Sequence, residues 1–252
     1  MGSYACYKIS KMPKALLDLK VTPLPPTPMT ETHLFFIRHG QTDWNQERRI
    51  QGQLDTPLNA EGLQQAQRLT ALLGSNGQAL APLSQASVIY SSPLSRALQT
   101  AQPLATVLKQ SITPLEPLQE RHFGAIQGKT YPELEANHPV ESQKINNRDP
   151  DFRPESGESL LDLRARVWGL LELLLRKHAG ETVICFTHGG VLDIIYREAT
   201  STALEAKRTW AIPNAGVNHL VYTSQPAAWK VKAWAFTRHL EEDSSAPTNA
   251  DF

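Results

Sequence analysis

The chain has 252 residues, which suits one large domain or two small ones and is ample to bury a substantial core. Its 25 basic and 25 acidic residues cancel, arguing against a nucleic-acid backbone or an anionic membrane surface as the main partner. Two cysteines cannot make a disulfide framework and point to a reducing cytoplasm, and no segment approaches the roughly 20 apolar residues that span a bilayer.

Residues 1–31 are expected to form a disordered or extended N-terminal extension. "VTPLPPTPM" is proline-rich and without hydrophobic period, the segment lacks the apolar core of a secretory signal, and Met29 is a second candidate start. One domain is expected over residues 32–240, followed by a polar, disordered tail at 241–252. Leu34–Ile37 predicts a strand buried on both faces. Asn59 is expected to cap a helix with Leu63, Ala66, Leu69 and Leu73 on its apolar face and Gly74 as its stop. "SVIYSS" predicts the next strand. Ser92 and Pro93 then supply an N-cap and a first-turn proline for a helix with Leu94, Ala97, Leu98 and Ala101 on one face, which Pro103 should kink or divide.

Ser159, with Asp162 as its capping-box partner, opens a longer helix striped by Leu163, Val167, Leu170, Leu171 and Leu174 and ended by Gly180. "TVICF" predicts a third strand, "GGVLDIIYREA" a helix, and "VNHLVYT" and "WKVKAWAF" two closing strands. Such alternation means an α/β fold: a three-layer sandwich with a mainly parallel central sheet and helices on both faces. Trp168, Trp210, Trp229 and Trp234 are expected in its core.

Three of these strands end in polar residues: Arg38-His39-Gly40, Ser91-Ser92 with Arg96 one helical turn on, and Thr187-His188-Gly189-Gly190. Ligands of open α/β sheets bind at the carboxyl ends of strands, so if the three are neighbours, two arginines and two histidines converge. Arginine forks match phosphate oxygens, and a helix opening at Gly189 adds free N–H groups and a positive dipole end. Imidazole in such a pocket is also a competent nucleophile for phosphoryl transfer. Each motif alone reads equally well as a basic turn, a scaffold histidine or a helix start; their joint placement carries the argument. Histidines 33, 138, 178, 219 and 239 lack metal-ligand spacing.

"RHGQTDWN", "QGQLDTPLN", "SSPLSRALQTA", "ERHFGAIQG" and "THGG" together resemble the histidine phosphatase superfamily, also called the phosphoglycerate mutase-like family. The resemblance implies that His39 is the residue phosphorylated and that Arg38, Arg96 and His188 hold the phosphate oxygens. It places Asn45, Thr42 and the Gly189 backbone at the substrate and makes Glu120 the proton donor. Without the pattern Glu120 would read as a surface charge, and the adjacent Arg121 and His122 are set aside as scaffold. The implied activity is metal-free hydrolysis of phosphomonoesters of small metabolites, with no cofactor. A mutase would need a longer, more basic insertion, whereas Gly128–Ser159 is short and balances its acids and bases. Mutase-type transfer and an inactive phosphate-binding protein are the alternatives; against the second, every catalytic position is filled.

Overall fold

Leu34, Phe35, Phe36 and Ile37 are all fully buried, and successive strand residues point to opposite faces, so this run must be covered on both sides. A computed structural model, describing residues 30–73 and 80–241, shows how. The strands are β1 (Glu31–Arg38), β2 (Val88–Ser91), β3 (Ile112–Pro114), β4 (Thr182–Thr187), β5 (Val217–Ser224) and β6 (Ala227–Phe236). They form one sheet of order β3-β2-β4-β1-β5-β6, parallel from β3 through β1, with β5 antiparallel to β1 and β6 antiparallel to β5.

The helices are α1 (Asp43–Gln46), α2 (Ala60–Arg68), α3 (Ser95–Leu108), α4 (Tyr131–Asn137), α5 (Pro139–Asn146), α6 (Leu160–Lys177) and α7 (Gly189–Thr200). Leu34, Phe36, Val183 and Cys185 face the layer built from α6 and α7. Phe35, Ile37, Ile184 and Phe186 face the layer built from α3 and the 3₁₀ turn Leu69–Leu73 that extends α2. The expected three-layer α/β architecture is therefore the observed one. Among the described residues no helix is long and apolar enough to cross a membrane.

Several local expectations need correction. β1 takes in Glu31, and Thr30 already donates its N–H to Ser224 Oγ at 3.1 Å, so the domain begins before residue 32. Leu63 is 49 % exposed. The inward face of α2 is instead set by Gly62, which lies so close to the chain at Gln41 that a Cβ would stand 2.0 Å from its carbonyl oxygen. α3 runs undivided through Pro103, because Ala97, Ala101, Leu104 and Ala105 bury its apolar face and offset a proline cost of about 3 kcal/mol. α3 starts at Ser95 rather than at Pro93. Its first turn is held from outside by Asp55, which accepts from the Ser95 amide at 2.7 Å and the Ser95 hydroxyl at 2.6 Å. Trp168 is exposed and donates to Glu172, while Trp210, Trp229 and Trp234 pack against the core partly buried. β3, α4 and α5 had no counterpart in the sequence reading. Residues 1–29, Gly74 and residues 242–252, on which the extension, helix stop and tail were placed, lie outside the described residues.

The layer assignment separates two leucines of equal chemistry. Leu104→Ala is expected to cost about 2–5 kcal/mol by leaving a cavity, whereas Leu63→Ala should stay within about 0.5 kcal/mol; urea unfolding of both variants measures the difference.

Candidate active site

β2, β4 and β1 are neighbours in the sheet, so the three polar strand ends do converge. The His39 amide donates to Thr187 O and the Ser92 amide to Phe186 O, both at 2.9 Å, which holds the three chain ends level as they leave the sheet. The rings of His39 and His188 consequently stand 5.0 Å apart, tilted by 54°.

His39 is 3 % exposed, and its Nδ1 lies 2.7 Å from Gly40 O. A carbonyl oxygen only accepts, so Nδ1 carries the proton and Nε2 keeps its lone pair. Burial, then the nearby Arg96 and Arg38, holds this imidazole well below its usual range, so it is neutral at neutral pH. The peptide around it is pinned: Asn214 Nδ2 donates to His39 O at 3.0 Å, and the Gly40 amide donates to Thr100 Oγ1 at 2.9 Å.

His188 is wholly buried, with Nε2 2.7 Å from the Ser92 hydroxyl, and burial again lowers its proton affinity well below the usual range. The same hydroxyl accepts from the Leu94 amide at 3.3 Å, ahead of the first turn of α3. Arg96, also wholly buried, donates from Nη2 to Gly52 O at 2.7 Å and from Nη1 to Leu54 O at 2.9 Å. Burial pushes it down to about 10, which leaves it cationic at neutral pH. Arg38 donates from Nη1 to Ile212 O at 2.5 Å. Among the described residues, Arg38 Nε, Arg96 Nε and His188 Nδ1 are buried without a hydrogen-bond partner. Unmade hydrogen bonds on buried cations are costly, and an anion is the ligand that satisfies them.

Glu120 comes from the opposite side. Its Oε1 accepts from the Arg121 amide at 2.7 Å, and both carboxylate oxygens lie 3.0 Å from the Gly190 amide at the start of α7. A Cβ on residue 190 would stand 2.2 Å from Glu120 Oε1, so only glycine permits this approach. A Cβ on residue 189 would lie 3.8 Å from both Arg38 Nε and Glu120 Oε2, placing Gly189 between the cation and the carboxylate.

These groups face a cavity of about 500 Å³. Arg38, His39, Asn45, Arg96, Glu120 and Gly189 line it, and His188 stands behind His39. Thr42 is a correction. It is fully buried, caps α1, and exchanges hydrogen bonds with Asn45 instead of lining the cavity, because its hydroxyl is the N-cap of that helix. Asn45 Oδ1 also accepts from Asn214, so Thr42 acts on the cavity through Asn45. Arg121 does line the wall, but its guanidinium is committed to Glu158 O at 2.9 Å and Phe152 O at 3.0 Å. His122 Nδ1 accepts from the Gly124 amide at 3.2 Å.

The sequence reading missed the outer wall. Tyr131 on α4, Arg148 beyond α5, and Lys207 and Arg208 in the loop after α7 all border the cavity. Lys207 and Arg208 are exposed and have no ion pair or hydrogen bond among the described residues. Their loop is tied down by Arg148 Nε donating to Leu204 O at 2.7 Å and Arg197 Nη2 to Ala206 O at 2.9 Å. Both arginines also hold Asp193 on α7, at 2.6 and 3.0 Å. "KR" in a loop is the only sequence signal for this wall, and it reads as solvated charge. Among the described residues no group of three or more His, Cys, Asp or Glu is placed to hold a metal ion.

Comparison with known proteins gives the family and the fold. The family model described as histidine phosphatase superfamily (branch 1) matches residues 34–237. The chain is 38 % identical over 209 residues to phosphoglycerate mutase-like protein 4 of Arabidopsis thaliana, covering 82 % of this chain and 86 % of that one. It is 35 % identical over 211 residues to the metal-independent phosphoserine phosphatase of the same plant, covering 83 % of each. Among solved structures, phosphoserine phosphatase from Entamoeba histolytica in complex with 3-phosphoglyceric acid superposes with a TM-score of 0.71 at 26 % identity, over 83 % of this chain and 100 % of that one.

The buried imidazoles set an acid limit on stability. In the unfolded chain a histidine takes up a proton near pH 6.5, while folding holds His39 and His188 well below that and His239 down to about 4. The unfolded state thus binds more protons as pH falls, and stability that is complete above pH 6.5 declines as the solution is acidified. Thermal melts should show a melting temperature that falls progressively below that pH, and His239→Gln, which removes one of the contributors, should make the fall shallower.

Proposed function

The chain belongs to the histidine phosphatase superfamily, and from that premise and the geometry above we propose that it hydrolyses phosphomonoesters of small metabolites through a phosphohistidine on His39. The observation that carries the reading is the His39 tautomer: Nδ1 is spent on Gly40 O at 2.7 Å, leaving Nε2 as a neutral nucleophile beside buried Arg96 and half-buried Arg38.

In the first step His39 Nε2 attacks phosphorus in line, the N–P bond forms, the P–O bond to the leaving group breaks, and Glu120 gives that oxygen a proton. In the second, water passes a proton to Glu120 and attacks phosphorus, the N–P bond breaks, and inorganic phosphate and free His39 result. Arg38, Arg96 and His188 stabilise charge on the transferring oxygens, and Asn45 and the Gly189 backbone complete the lining. Each step balances without a metal ion or a redox partner.

A cavity of about 500 Å³ is far larger than a phosphoryl group and accommodates a small metabolite. Lys207 and Arg208, without a carboxylate partner among the described residues, support a substrate that carries a second anionic group. Relatives named for phosphoserine, and a solved relative holding 3-phosphoglyceric acid, support the same class. A free, fully buried Cys185 is in keeping with a reducing cytoplasm.

The test is turnover of small phosphomonoesters by the purified chain. Inorganic phosphate should be released under exhaustive chelation, and His39→Ala should lower turnover by about 1,000-fold or more. Turnover of His39→Ala near the wild-type level overturns the mechanism. Transfer to a second substrate molecule in place of phosphate release favours the mutase reading.

A further inference from the structure

We propose that Arg166 on α6, locked by Glu158, is a positioning residue for proton transfer: it fixes the backbone that carries Glu120. The inference rests on the reading of Glu120 as acid and base given above. Glu120 lies in an irregular stretch between the 3₁₀ turns Glu116–Leu118 and Gly124–Ile126, so no helix or strand ladder of its own holds it in place. A general acid nevertheless has to sit within hydrogen-bond reach of the leaving oxygen.

Gln53 Nε2 donates to Glu120 O at 3.0 Å, and Arg166 supplies the rest of the missing ladder. Its Nη1 donates to Pro117 O at 3.0 Å and Gln119 O at 2.8 Å, and its Nη2 donates to Glu120 O at 3.2 Å. The guanidinium is itself fixed by a fork-to-fork pair with Glu158, Nε to Oε1 at 2.9 Å and Nη2 to Oε2 at 2.7 Å. Glu158 Oε2 also accepts from the His122 amide at 2.9 Å, so the pair grips the chain on both sides of Glu120. Arg166 and Glu158 each keep 20 % of their side-chain exposure, and neither lines the cavity. Apart from a minor charge effect of Arg166 on His188, their influence on chemistry passes through Glu120. Glu158 offsets much of the Arg166 charge, and burial, Arg96, His39 and Arg38 all act on His188 more strongly than Arg166 does.

A merely structural strut would weaken every property of the site, whereas a positioning role is confined to proton transfer. The discriminating experiment measures single-turnover phosphorylation of the full chain by an alkyl phosphate, whose leaving group needs a proton, and by nitrophenyl phosphate, whose leaving group does not. Arg166→Gln should slow the alkyl reaction by about 10- to 100-fold and the aryl reaction by less than about threefold, since a misplacement near 1 Å has costs of that order. Vanadate affinity should stay within about threefold, because Arg38, Arg96 and His188 are untouched. Adding Arg166→Gln to Glu120→Gln should bring no further alkyl loss, because the two act as one unit. Arg166→Lys, which keeps a donor and the charge, should recover part of the rate. If Arg166→Gln fails to fold, Glu158→Gln carries the test with a smaller loss of the same selectivity.

Equal losses on both substrates together with weakened vanadate binding overturn the proposal, as does a full additional loss on the Glu120→Gln background. Absence of leaving-group dependence in the single Glu120→Gln variant overturns the underlying acid assignment, and with it this proposal. That failure is recognised separately, since it appears without any change at Arg166.

Discussion

The register of β1 against β4 is the constraint on which the rest of the site depends. Arg38 pairs with Thr187, so the next residue on each strand, His39 and His188, emerges at the same level and on the same side. A slip of one residue would turn every side chain of β1 to the other face, exchanging Leu34 and Phe36 with Phe35 and Ile37 and separating the imidazoles. The register is enforced because both faces are fully buried, each against its own layer. Core packing and the geometry of the site are in this sense one requirement.

On that frame the chain assembles more buried positive charge than it neutralises. Arg96 is fully buried, Arg38 keeps an unpartnered Nε, and the nearby carboxylate, Glu120, is held by the Arg121 and Gly190 amides. Backbone carbonyls at Gly52, Leu54 and Ile212 take up part of the guanidinium hydrogen bonding but supply no full negative charge. The two histidines meet the same conditions by staying neutral, which for His39 is also the form a nucleophile requires. A site that withholds compensating anions is preorganised for one that arrives, and preorganised charge is commonly the largest contribution to phosphoryl transfer.

Much of this was legible in the sequence, because strand ends, glycine turns and helix caps are local signals. The Arg38-His39, Ser91-Ser92 and Thr187-His188 ends could be placed from their own residues, and strand–helix alternation supplied the layers. What escaped was set by contacts distant in sequence. The outward turn of Leu63 follows from Gly62 meeting the chain at Gln41, and the first turn of α3 at Ser95 is held by Asp55, 40 residues earlier. Thr42 was expected at the substrate, but its hydroxyl closes a helix cap. Lys207 and Arg208 reach the cavity only because Arg148 and Arg197 tie their loop beside it. Arg166 and Glu158, eight residues apart, carry no local signal of their pairing, which the fold creates.

The central claim is that Nε2 of His39 is the free, reacting nitrogen because Nδ1 is committed to the Gly40 carbonyl. It is tested most directly by trapping the phosphoprotein from rapid-quench turnover and locating the phosphoryl group on the imidazole by phosphorus–nitrogen coupling in NMR of the nitrogen-15-labelled chain. The account predicts a phosphoryl group on Nε2 of His39. A phosphoryl group on Nδ1, or on any residue other than His39, would contradict it.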